Sequence, residues 1–146
     1  MSEYIEFKVN NLARFQMLQK VFQKLKADKD NNSFEDDNVY LQFFDEKAKS
    51  YFGWYSEKEN IEWSEKWFST PVETRWIDPN LKRKWIFGSM IDSFKDGQYK
   101  LLSCEIISDE IGRLYFNPFA FPYGGTGCMK AFIEAFGFEI VRTSDE

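Results

Sequence analysis

A chain of 146 residues with 43% hydrophobic and 19% aromatic side chains is long and apolar enough to pack one domain, which excludes general disorder. Its 19 Lys and Arg against 24 Asp and Glu give a formal charge of -5, an ordinary solubility charge that argues against nucleic-acid binding and favours neutral or basic partners. The absence of His removes the commonest general base, the commonest metal ligand and every Ser-His or Cys-His pair, and two Cys are too few for a disulfide framework or a structural zinc site.

In chain order, Tyr4 to Val9 alternates, with Ile5, Phe7 and Val9 on one side, and predicts a half-buried strand. Asn10 or Asn11 then caps a helix whose stripe is Leu12, Phe15, Leu18, Val21 or Phe22, and Leu25. Asp28 to Asp37 reads as an exposed loop, Val39 to Phe44 as a second strand, and Ser50 to Tyr55 as a third in which Gly53 marks a bulge or close approach. Glu57 to Phe68 is helical, with Trp63 and Trp67 on one face, and Pro71 breaks it. Thr74 to Ile77 is short and extended, and Asp78-Pro79 opens a helix carrying Leu81, Trp85, Ile91 and Phe94 to a stop at Asp96-Gly97.

Tyr99 to Ile107 and Arg113 to Asn117 form a hairpin that turns Cys104, Ile106, Leu114 and Phe116 inward. Thr126 is placed to cap a last helix with Met129, Phe132, Ile133 and Phe136 on its inner face. Gly137 ends it, and Phe138 to Val141 returns as a short strand. The expected fold class is therefore α+β: a single domain over 1–146 with a mainly antiparallel or mixed sheet, about four helices packed on it, and 143–146 as a flexible tail.

The most unusual run is Phe121-Pro122-Tyr123-Gly124-Gly125-Thr126-Gly127. Backbone N–H groups of Gly124, Gly125, Thr126 and Gly127 at a helix start, beside Tyr123, form a candidate anion or ligand site, with Arg113 or Arg75 balancing the charge. The spacing matches neither nucleotide-loop pattern, so a tight structural turn is the first reading, and Thr126 as cap would occupy the donors an anion needs.

All five Trp lie between Trp54 and Trp85. Those at helical spacing are expected to pack in the core, whereas Trp54 and Trp76, in extended or loop segments, are the expected exposed ones and the candidate interaction surface. Lys82-Arg83-Lys84 is the one compact basic run. No nucleophile or metal constellation emerges and no cofactor is expected. Met1-Ser2-Glu3 runs into Tyr4 without a basic and apolar leader, and no stretch reaches a membrane span, so a cytoplasmic protein is expected. The leading functional expectation is a non-catalytic protein that binds another protein, regulatory or inhibitory in kind. A homo-oligomer formed through the aromatic surface is the third possibility, after the anion site.

Overall fold

Four strands pair antiparallel in the order β2-β3-β1-β4 in the computed structural model, which describes residues 2–119 and 125–144. Strand β1 (Glu3–Lys8) lies inside the sheet because it pairs on both sides, with β3 (Ile111–Pro118) and with β4 (Ile140–Thr143). Strand β2 (Tyr99–Ser108) joins β3 through the two residues Asp109 and Glu110, the second at φ 61. The alternation seen in β1 is the pleat itself: Ile5 and Phe7 face the helices, while Glu6 faces outward between Arg113 and Arg142. The result is an α+β domain, as expected.

Helix α1 (Leu12–Asp30) starts at Asn11, whose side chain accepts from the Arg14 N–H, and it packs Phe15, Leu18, Val21, Phe22 and Leu25 into the core. Leu12, the first residue of the helix, is exposed instead of joining this stripe. The predicted loop from Asp28 is in part helix. Asp28 is buried in the last turn of α1, where it accepts from the Tyr40 hydroxyl at 2.7 Å and pairs with Lys24. Burial, and then the bond to Asp28, push the Tyr40 phenol up to about 12.

The predicted strand Val39 to Phe44 is instead helix α2 (Asp37–Leu41) followed by a turn, and the predicted strand Ser50 to Tyr55 is a turn after helix α3 (Glu46–Lys49). Tyr40, Phe44, Ala48 and Phe52 are all buried, and their spacing of four decides for helical geometry over the period of two that Val39, Leu41 and Phe43 suggest. Phe44 is the hub of an aromatic cluster. Its ring centroid lies 5.0 Å from Phe87, 6.0 Å from Phe52 and 4.9 Å from Phe136, and Phe52 and Phe87 meet edge-on at 5.3 Å.

Helix α4 (Glu57–Ser69) follows, then turns through 72–77 where an extended piece was expected. The Asp78-Pro79 start is real but opens only a 3-10 turn (Pro79–Leu81), and helix α5 (Phe87–Asp96) begins six residues later than the turn ends. The intervening strip is spent on other bonds: the Trp85 carbonyl accepts from the Gly53 N–H at 2.8 Å, and the Lys84 N–H donates to the Tyr55 hydroxyl. Helix α6 (Gly127–Ala135) buries Met129, Phe132 and Ile133, and Phe136 follows them inward. Strand β4 sits two residues later than expected. Thr143 is buried within it and Ser144 bonds Tyr4 and Glu3, so the supposed tail is part of the sheet as far as Ser144, while 145–146 lie outside the described residues. Ile106 is exposed instead, at the end of β2 where Glu105 to Ser108 are all exposed. No helix among the described residues is long and apolar enough to cross a membrane.

Arg14 joins three of these elements. Its guanidinium binds Asp45 at 2.6 Å, donates through Nε to the Phe136 carbonyl, and lies 5.8 Å from the Phe136 ring centre. The Arg14 bond holds the Asp45 carboxyl below its ordinary value of 3.8. Because the folded chain then binds fewer protons than the unfolded one, this contribution is complete above the ordinary value and fades as pH falls through it and through the lower folded value. Asp45→Asn keeps an acceptor for the Ala48 N–H and removes the charge. Its loss of stability relative to wild type, read from urea midpoints, should be largest at neutral pH and close towards about pH 3. A gap that stays constant over that range would contradict this role.

Candidate functional site

Between Phe52 and Phe87 the chain leaves the core and returns, forming an arm that is closed at its root by the Gly53 to Trp85 hydrogen bond. Helix α4 is its main element, and it buries none of its residues. A 13-residue helix with no buried face needs local support, and the sequence supplies it. Ser56 and Glu59 form a reciprocal capping box, in which the Ser56 N–H holds the Glu59 carboxyl below its ordinary value. At the other end Arg75 folds back to donate to the Thr70 and Phe68 carbonyls, which an α-helix otherwise leaves unpaired.

One side of α4 is stitched to the returning strip. Trp63 and Trp67 stack at 5.2 Å, Trp76 meets Trp67 edge-on at 4.9 Å, and the Trp63 indole N–H donates to the Leu81 carbonyl at 2.9 Å. Arg83 lies between the Tyr55 ring at 3.9 Å and the Trp63 ring at 4.8 Å, and it donates to Asn60 at 2.6 Å. Its Nε is buried without an acceptor, so the two ring faces are what compensates its charge there. Along this side runs a groove of about 380 Å³ lined by Trp63, Trp67, Trp76, Arg75, Asp78, Lys82 and Arg83.

The other side of α4 has no cover. Ile61 and Phe68, seven residues apart, line a second groove of about 410 Å³ bordered by Glu57 and Glu65. Phe68 is 75% exposed, Trp76 81% and Ile77 73%, and Val72 and Ile61 are exposed as well. Arg75, over both the Phe68 and Trp67 rings, makes the two sides contiguous. Between residues 56 and 86 Glu57, Glu59, Glu62, Glu65, Glu73 and Asp78 balance Lys58, Lys66, Arg75, Lys82, Arg83 and Lys84, so the arm is neutral while the remainder carries the whole charge of -5.

Trp54 and Trp76 are both exposed, as expected. Trp54 is held at the root of the arm, stacked 6.2 Å from Phe87 and bonded through its indole N–H to the Lys49 carbonyl. The expectation that the other Trp pack in the core is corrected for Trp63 and Trp67, which are half-buried because their helical spacing serves the arm's own packing, whereas Trp85 is half-buried against the core. Phe68 and Ile61 were not singled out in the sequence, although their spacing of seven, out of phase with Trp63 and Trp67, signals a second apolar face.

The candidate anion residues that are described sit on different elements. Tyr123 and Gly124 lie outside the described residues. Gly125 takes φ 81 with open space around it, and Gly127 begins α6 against Trp85, where a Cβ would stand 3.3 Å from the indole ring. Thr126 occupies the N-cap position, but its side chain makes no capping bond, which corrects the expectation that its hydroxyl occupies the helix donors. Arg113 binds Glu6 and the Tyr115 hydroxyl on the outer face of the sheet and lies over the Tyr4 ring, and Arg75 is held on α4. None of these bonds reaches Gly125, Thr126 or Gly127.

The two thiols are buried and free. Burial pushes Cys104 up to about 12 and raises Cys128, where the Tyr99 hydroxyl lies 3.3 Å from the sulfur, so both stay protonated at neutral pH. No protein-family model, curated protein or solved structure matches the chain.

These positions give the glycine run a measurable division of labour. Gly125→Ala should cost about 1–2 kcal/mol, because a Cβ is strained at positive φ, whereas Thr126→Ala should change stability by less than about 0.5 kcal/mol, below the ordinary loss of a working cap. Urea unfolding of the two variants checks this, and a larger loss at Thr126 than at Gly125 would refute it.

Proposed function

We propose that this chain acts by protein–protein contact through the arm, as a regulatory or inhibitory protein, and not by chemistry on a small substrate. The observation that carries the reading is that α4 and the turn after it expose Phe68, Val72, Trp76 and Ile77, while the same segment is held by caps and cation–aromatic stacks. Exposed apolar patches of this kind mark interaction surfaces, and Trp and Arg dominate binding hot spots. A cytoplasmic setting fits two free, buried thiols.

A second reading has one supporting observation. With Thr126 not capping α6, the first-turn N–H groups beside Gly125 have no side-chain acceptor from it, and a small anion would suit them. A thermal-shift panel of nucleotides, sugar phosphates and carboxylates tests that site, and no shift across the panel removes it.

The contact reading is tested by capture from native lysate with wild type and with Phe68→Asp/Trp76→Asp. Both positions are exposed, so the variant should fold normally. The expected result is a discrete set of proteins retained by wild type and reduced at least about tenfold, or 1.4 kcal/mol, by the variant. Identical capture by both proteins would defeat the proposal.

A further inference from the structure

We infer that the uncovered face of the arm is the seat of a second copy of this chain, in a two-fold dimer. The inference rests on the reading of the arm as a protein-contact surface and names its occupant.

The first argument is area. Large aromatic side chains carry ~150–250 Å² each, so Phe68 and Trp76, at 75% and 81% exposure, leave roughly 300 Å² of ring uncovered. Ile61 lines the same groove as Phe68, and Val72 and Ile77 are exposed in the turn that carries Trp76. Together they supply the apolar centre that an interface of ~800 Å² per partner needs.

The second argument is the arrangement of charge. Glu57 and Glu65 border the Ile61–Phe68 groove, whereas Arg75, Lys82 and Arg83, against the single carboxylate of Asp78, border the tryptophan groove. Phe68 lies between them, under Arg75. In an isologous contact residue i of one copy meets residue j of the other, and j meets i. A two-fold axis near Phe68 therefore lays the acidic side of one arm on the basic side of its mate, twice over. A partner of a single sign would be attracted to one groove and repelled by the other. The arm is also the neutral part of a chain of charge -5, so two copies meet where their mutual repulsion is least.

The test is light scattering over a concentration series with charge-reversed variants. Wild type should move from 17.4 kDa towards twice that mass as concentration rises. Glu57→Lys/Glu65→Lys makes both sides basic and Arg75→Glu/Lys82→Glu makes both acidic, so each alone should weaken dimerisation at least about tenfold. Mixed in equal amounts, the two should recover the dimer mass, which also shows that both are folded. Wild type that stays monomeric throughout, a dimer indifferent to both reversals, or reversals that are not rescued by mixing would each overturn the inference. A monomer that still captures a protein through Phe68 and Trp76 overturns the dimer and leaves the contact reading standing. A monomer that captures nothing removes both.

Discussion

The arm depends on the meeting of Phe44, Phe52 and Phe87. Phe52 is the last core aromatic before the chain leaves the core and Phe87 the first after it returns, and Phe44 touches both while reaching Phe132 on α6 and Phe136 at its end. Edge-on contacts of this kind are directional as well as apolar, so they fix the angle of the two ends and not only their proximity. The Gly53 to Trp85 hydrogen bond then closes the loop just outside them. Any change that lets Phe44 move would release both ends of the arm at once.

Beyond that root the arm is held by a different physics. It has no core of its own apart from Leu81, and its order comes from caps, stacked indoles and guanidinium groups laid on rings. Arg75 and Arg83 serve in place of buried aliphatic packing, since a guanidinium covers an aromatic face while its N–H groups satisfy carbonyls and an amide. Such an assembly leaves Ile61 and Phe68 bare on one side of α4. Glu57 and Glu65 on the Ile61–Phe68 groove, and Arg75, Lys82 and Arg83 with Asp78 on the tryptophan groove, give the two grooves different charge.

Much of the sheet layer was legible in the sequence because its elements keep one period over enough residues: Ile5 and Phe7 in β1, Phe15 to Leu25 in α1, Met129 to Phe136 in α6, and the β2–β3 hairpin with its short loop. The stretch from Asp37 to Tyr55 was not. Its helices have five and four residues, too short for a stripe, and only the pattern Tyr40, Phe44, Ala48, Phe52 across several turns reveals the period of four. The arm was half legible. Spacing placed Trp63 and Trp67 together on α4, but spacing says nothing of what they face, and here Trp63 faces Leu81 and Arg83 and Trp67 faces Trp76 and Arg75. The pairing of Arg113 with Glu6 is likewise set by strand register, which joins residues 107 positions apart.

Hydrogen exchange of the full chain, followed at increasing protein concentration, tests most directly whether α4 belongs to a contact surface and not to the core. In dilute solution the amides of α4 should exchange through local opening, well ahead of those in α1, β1 and α6, and their protection should rise with concentration while the core amides stay unchanged. If α4 is already as protected as α1 at the lowest concentration, and concentration has no effect on it, the arm is an integral part of the fold and the account is wrong.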